Sequence, residues 1–134
     1  MGEQNFHLEI LTPQELKFEG QATWVRLPSL LGEMGILANH TPLLAMLEPG
    51  VAVYRVLDRD HPLAVGEGFV TVAENRVVVL VESAERPEEL ELGAVTRTVQ
   101  DLDRQWVTAA PAQRETLRLQ RLLARARQRV ADWG

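Results

Sequence analysis

Apolar and polar positions alternate through the first 86 residues and then recur at helical spacing to the end of the chain. Phe6, Leu8 and Ile10 alternate with His7 and Glu9. Thr23, Val25 and Leu27 alternate with Trp24 and Arg26. A period of two predicts strands with one buried face. Val51 to Leu57 is β-branched and aromatic, Phe69 to Ala73 predicts another strand, and the run RVVVLVE at Arg76 to Glu82 predicts a nearly continuous buried one. Gly20, Gly32, Pro49-Gly50, Asp58 to Pro62 and Glu74-Asn75 punctuate these segments as turns. Short strands spaced by roughly 8–12 residues predict a β-sandwich or flattened barrel.

The period then changes. Leu92, Val95, Val99, Leu102 and Trp106 share one helical face. Pro87 suits a first helical turn, and Glu88, Glu89 and Glu91 suit the positive end of the helix dipole. Gly93 falls inside this helix and costs it about 1 kcal/mol against alanine. A break is predicted near Thr108 to Pro111. A second helix follows, with Leu119, Leu122, Leu123, Ala126, Val130 and Trp133 on one face. Arg114, Arg118, Arg121, Arg125 and Arg129 lie on a neighbouring face, within about 80° of one another at 100° per residue. The expected organisation is a β-sandwich over residues 1–86 and a two-helix αα-hairpin over 87–134.

Charge follows that division. Met1 to Arg86 holds 6 basic and 12 acidic residues, and Pro87 to Gly134 holds 8 and 7. Pro87 to Asp103 has one arginine against five acids, whereas Arg114 to Val130 has six arginines against Glu115 alone. The chain is therefore an acidic body, an acidic connector and a basic end. Lys17 is the sole lysine among the 14 basic residues. Arginine forks onto carboxylate or phosphate better than lysine does.

Composition narrows the chemistry. At 134 residues, 46% hydrophobic and 25% charged, the chain is one ordinary globular domain or a small domain with an appendage. It has no cysteine, which excludes a disulfide framework, a thiolate metal site and a cysteine nucleophile. No apolar run reaches the roughly 18 residues of a membrane span. The start, MGEQNFHLEI, has neither the basic flank nor the apolar stretch of a signal peptide, so the protein is expected to stay where it is made. A net charge of -5 argues against nucleic acid as the partner. There is no phosphate-binding P-loop, and Gly66 and Gly68 lack the later glycine of a dinucleotide fingerprint. Ser29 and Ser83 have no nucleophile-elbow context. His7, His40 and His61 are far apart with no ligand spacing, so no zinc or histidine-based catalytic site is expected. No enzyme is expected in this chain by itself.

Leu31 to Gly50 reads LGEMGILANHTPLLAMLEPG. Read physically, Gly32 and Gly35 bracket an acidic tip at Glu33, Ile36 starts an apolar strand, His40 precedes Pro42-Leu43-Leu44, and Pro49-Gly50 turns the chain. The stretch could be a plain hairpin with His40 at a strand end. It also closely resembles the epsilon subunit of the rotary F-type ATP synthase, whose pattern is G-E-x-G-I, then P-x-H-x-P-L-L, then a P-G turn. FHLEILTP near the start, GEGFVTV before Asn75 and VLVESAER running into the helices extend the resemblance to about residues 4 to 130. The chain departs from the pattern at Ala38, where the family usually has proline, and at Glu67, where a second glycine is usual.

The resemblance implies a sandwich of about ten strands followed by two helices. It implies a non-catalytic place in the central stalk, against the gamma subunit and the cytoplasmic loops of the membrane c-ring. There the subunit would turn with the rotor and couple proton or sodium flow to ATP synthesis. Glu33 matches the acidic loop facing the c-ring, and His40 matches a position near the gamma and c contacts. The implied location is the cytoplasmic face of the bacterial inner membrane, as a peripheral protein with no insertion. The family's helices can also extend along gamma toward the alpha and beta subunits and inhibit ATP hydrolysis through an acidic loop of beta. The arginine stripe suits that role, and equally suits pairing with the acidic first helix of its own hairpin.

Some family members bind ATP between hairpin and sandwich, with an L-D-x-x-R-A motif at the start of the first helix. Here Leu90 to Val95 reads LELGAV. Glu91 keeps a carboxylate and Glu82 matches a second acidic position, but Ala94 replaces the arginine and Val95 the alanine. No cofactor is therefore expected. The alternative to the rotor reading is a free-standing nucleotide-sensing or scaffold module.

Overall fold

The computed structural model describes residues 4–134. Met1 to Glu3, the start of the segment read as having no leader, lie outside them. Ten strands come first: β1 (Phe6–Leu11), β2 (Leu16–Ala22), β3 (Trp24–Ser29), β4 (Gly32–Leu37), β5 (Leu43–Leu47), β6 (Gly50–Val56), β7 (Arg59–Val65), β8 (Gly68–Ala73), β9 (Arg76–Val81) and β10 (Ala84–Glu85). A single 3₁₀ turn (Pro87–Glu89) leads to α1 (Leu92–Thr108) and α2 (Pro111–Ala131). This is the expected β-sandwich followed by a helical hairpin.

The strands form one hydrogen-bonded path, β10-β7-β6-β3-β5-β8-β9-β1-β2, with β4 paired to β3. Every pairing is antiparallel except β1 on β9. The path curls until β2 faces β6, where the rings of Phe18 and Tyr54 meet at 4.4 Å between centroids. The alternating residues of the sequence fill the interior: Phe6, Leu8, Ile10, Val25, Leu27 and Val79 are all essentially inaccessible. β8 and β9 approach so closely that a methyl group at Gly68 would fall on the Leu80 carbonyl oxygen, so only glycine fits.

Some elements differ from the sequence reading. The predicted turn at Asp58 to Pro62 shrinks to two residues, Leu57 and Asp58, both with positive φ (49° and 66°), as a two-residue hairpin of this hand requires. β7 then runs through His61 and Pro62. Pro62 is tolerated because β10 covers only Ala64 and Val65, leaving the earlier part of β7 an edge. β4 begins at Gly32 rather than at Ile36, so Glu33 stands on a strand and not in a loop. Gly93 lies in the first turn of α1, not its interior, because Leu90 is extended and Glu91 caps the helix. Leu92, placed on the buried face by its spacing, is 39% exposed. Trp133 follows the end of α2 and is 44% exposed.

α2 lies on β6 and β7, and α1 packs on α2. α2 is consequently buried on two sides. Ala126 and Val130 pack on Ala64 of the sandwich. Leu117 and Ala124 are also buried, though the single-face reading of the helix missed them. Val95 and Val99 are the buried residues of α1.

A charged clamp ties the connector to the sandwich. Lys17 on β2 is buried, and its ammonium donates to both carboxylate oxygens of Glu89 at 3.0 Å and lies 2.8 Å from Glu15. Glu89 also accepts from the Arg86 backbone N–H at 2.8 Å, and the Arg86 guanidinium donates to the Lys17 carbonyl at 2.6 Å. Burial pulls the Lys17 pKa down, but the bonds to Glu15 and Glu89 outweigh it and leave it above the ordinary lysine value. The Arg86 N–H, and then Lys17, hold the Glu89 carboxyl below its usual range.

The interior of the sandwich comes entirely from residues between Phe6 and Ala84, so a chain ending at Arg86 is expected to fold. A chain ending at Leu90 retains the clamp. A charge-assisted hydrogen bond contributes about 1.5–3 kcal/mol, discounted here to about 1 kcal/mol because the Glu89 side chain is partly exposed. The longer chain should therefore melt about 4–8 °C higher at neutral pH. A carboxyl held below its ordinary value of about 4.3 stabilises only while ionised, so the difference should vanish as pH falls through the depressed Glu89 pKa. The raised Lys17 pKa removes the clamp only at strongly alkaline pH. Thermal melts by circular dichroism across pH check this, and equal melting at neutral pH would show the clamp to be idle.

Candidate functional site

β5, β8 and β9 present an apolar outer face. Their register sets Met46, Phe69 and Leu80 in one row across the three strands, with Leu44 two residues along β5. Leu44 is 68% and Met46 57% exposed. The face dips into an open groove of about 530 Å³ whose far wall is Glu115, Arg118 and Leu119 of α2. A contiguous apolar patch of this kind on a folded domain marks a contact surface.

Glu33 and His40, paired in the sequence reading, stand at opposite ends of β4 and are not brought together. Glu33 sits opposite Pro28 beside the tight turn of Leu30 and Leu31, the latter fully exposed. It shares a recess of about 440 Å³ with Arg129 and Trp133 at the end of α2, a neighbourhood no sequence spacing could reveal. His40 donates from Nδ1 to the Thr41 carbonyl at 2.7 Å, a local bond that fixes its ring.

The arginine stripe is mostly engaged within the chain. The Arg118 guanidinium donates to Glu48 at 2.9 Å, on the turn between β5 and β6, and to Glu115 on its own helix at 2.9 Å. Arg121 and Arg125 both reach Asp103 of α1 at 3.1 Å. Arg114 and Arg121 also lie 4.5 Å and 4.6 Å from the centre of the Trp106 ring. Arg127, which the stripe omitted, pairs with Glu85 of β10. Arg129 has no ion-pair partner among the described residues.

The two candidate nucleotide carboxylates stand in different surroundings. Glu91 accepts the Ala94 backbone N–H as the N-cap of α1. Glu82 is exposed on the rim of the apolar groove, away from Ala94. The recess beside Ala94 is lined by Leu90, Val95, Thr98 and Ala124, and its one cation, Arg127, is bound to Glu85.

Residues 5–87 match the family described as ATP synthase, Delta/Epsilon chain, beta-sandwich domain. The ATP synthase epsilon chain of Nitratidesulfovibrio vulgaris is 37% identical over 132 residues, 98% of each chain. That of Desulfosudis oleivorans is 43% identical over 90 residues, 66% of this chain and 68% of the relative. The chain belongs to the ATP synthase epsilon-chain family. Family membership makes it a non-catalytic central-stalk subunit of the F-type ATP synthase.

The fold likeness reaches beyond recognisable sequence. A chain in the Euglena gracilis mitochondrial ATP synthase (OSCP/F1/c-ring) superposes with a TM-score of 0.81 at 17% identity, over 91% of this chain and 78% of that one. One in the central stalk and c-ring of the Tetrahymena thermophila mitochondrial enzyme gives 0.55 at 16%, over 66% and 72%. That likeness covers more of this chain than the sandwich and so extends into the helical part. No described helix is long and apolar enough to cross a membrane.

Proposed function

We propose that this epsilon-family subunit docks on gamma through the Leu44, Met46, Phe69 and Leu80 face, turns the Glu33 end of the sandwich toward the c-ring loops, and restrains ATP hydrolysis through α2. His40 adds a polar contact at the other end of β4. The observation that carries the reading is the aligned row of Met46, Phe69 and Leu80, which stays exposed beside the α2 wall of the groove. The site of action follows as the cytoplasmic face of the bacterial inner membrane, with the ring held by protein contacts alone. A Glu33 pair with basic c-ring loops, being exposed, contributes only about 0–1 kcal/mol and serves to orient rather than to anchor.

The compact hairpin keeps Arg118, Arg121 and Arg125 on Glu48, Glu115 and Asp103. Extension along gamma would trade these carboxylates for the acidic loop of beta, with alpha and beta as the surrounding partners. The same guanidinium chemistry then serves both states, and the trade is between pairs of similar kind. ATP does not take part at micromolar levels, because Glu91 caps a helix, Ala94 stands where a cation is needed, and Arg127 is occupied.

Three outcomes are expected. Phe69→Asp together with Met46→Glu should leave the fold intact by circular dichroism and lower binding to purified gamma by about a hundredfold or more, since two central apolar anchors are lost; unchanged binding would move the docking face elsewhere. Replacing Arg118, Arg121 and Arg125 with alanine should raise ATP hydrolysis by the assembled complex without loss of assembly. If the arginines served the compact state alone, their removal would release the hairpin, and hydrolysis would stay level or fall. Calorimetric titration of the isolated chain with magnesium ATP should give no binding at micromolar concentration, and a saturating isotherm there would restore the nucleotide site.

A further inference from the structure

We infer that the outer face of the β1–β2 edge holds a divalent transition-metal site of zinc type, built from His7, Glu9 and Glu19. Alternation along β1 puts His7 and Glu9 on one face, and the antiparallel register sets Glu19 directly across from Glu9. His7 Nε2 stands 3.2 Å from Glu19 Oε2 and 3.5 Å from Glu9 Oε1. The three ligand atoms lie within 4.8 Å of one another. Metal bonds of about 2.1 Å at tetrahedral angles put neighbouring ligand atoms about 3.4 Å apart. Two of the three edges are already at that length, so a small rotation of one carboxylate completes the set.

Two carboxylates face each other across paired strands, an unfavourable arrangement that the Arg76 guanidinium relieves at Glu9 alone. Both carboxylates still converge on His7 Nε2, whose single N–H can serve only one of them. A metal ion at that point accepts the imidazole lone pair and both carboxylates together, and leaves a fourth position for water. One imidazole with two carboxylates suits zinc or manganese and gives magnesium and calcium, which prefer all-oxygen sites, no advantage. The side chains are partly ordered beforehand, His7 and Glu9 being only 27% and 18% exposed.

Arg76 on β9, beside His7 in the parallel pairing, donates to Glu9 and is the internal competitor for the same carboxylate. No second histidine stands at ligand spacing from His7 along the chain. The pattern that marks the cluster is His-x-Glu on a strand whose antiparallel partner carries an opposing glutamate. An ion here would tie β1 to the edge strand β2, the strand that also carries Lys17.

The test is calorimetric titration of the full, metal-free chain with Zn²⁺ alone, with thermal melts read in parallel. One ion per chain should bind in the micromolar range and raise the melting temperature. His7→Ala and Glu19→Gln should each weaken binding about tenfold or more and abolish the thermal shift. Arg76→Gln should tighten binding by freeing Glu9, and His40→Ala should leave it unchanged. Circular dichroism without metal verifies that each variant folds. Absence of micromolar binding, or binding indifferent to His7→Ala, or transfer of the effect to His40→Ala, would overturn the site; weaker binding to Arg76→Gln would overturn the competitor role.

Discussion

The hairpin is seated on the sandwich through small side chains: Ala64 of β7 beneath Ala126 and Val130 of α2, with Val51 and Leu90 at the margin. A fully buried valine contributes about 1.5–3 kcal/mol and an alanine less, so the apolar seat as a whole supplies only a few kcal/mol. The close approach of α2 that small residues permit then decides what else can form. It brings Arg118 to Glu48 and Arg127 to Glu85, and it turns the opposite side of α2, with Leu117 and Ala124, toward α1. α1 is carried by α2. A pair of helices held in this way is compatible with departure from the sandwich while the sandwich itself stays intact.

Most of the architecture was legible because it rests on local periodicity. The alternation at Phe6 to Ile10 and the helical face around Val95 and Val99 each have their buried residues where the spacing places them. β2 was hidden because its pattern is inverted: Leu16 is exposed and Lys17 is buried. A lysine can occupy that inward position only because Glu89, 72 residues later, supplies the countercharge. The second buried face of α2 was hidden for a related reason. A helix lodged between two neighbours needs two apolar stripes, and the arginines between Leu117 and Ala124 broke the visual continuity of one of them. Glu33 lying near Arg129 and His7 near Glu19 are products of register and packing, which single-chain spacing does not contain.

Asp103 receives both Arg121 and Arg125, and Trp106 receives both Arg114 and Arg121. Each acceptor on α1 is therefore shared between two guanidinium groups. Sharing makes the compact state economical in acidic residues: one carboxylate and one indole hold three arginines. It also leaves those arginines under-neutralised, so a richer supply of carboxylate elsewhere can compete for them. An acidic connector and a basic last helix in the same chain thus define a balance of charge that an external surface can tip, and salt weakens both sides of that balance over a range of about 10 Å at 0.1 M.

The position of β1 shapes how the molecule is made. β1 lies between β2 and β9, and its parallel partner is encoded some 70 residues downstream (His7 beside Arg76). During synthesis at about 5–20 residues per second, the first hairpin must wait several seconds before the strand that encloses it leaves the ribosome. Until then the β9-facing side of β1 offers unpaired backbone groups to any neighbouring strand. Closing such a long loop is also a slow step for an isolated chain. Nascent copies of the sandwich are therefore exposed to mispairing for longer than its size alone suggests, and the helical hairpin, translated after it, reaches a finished surface on which to settle.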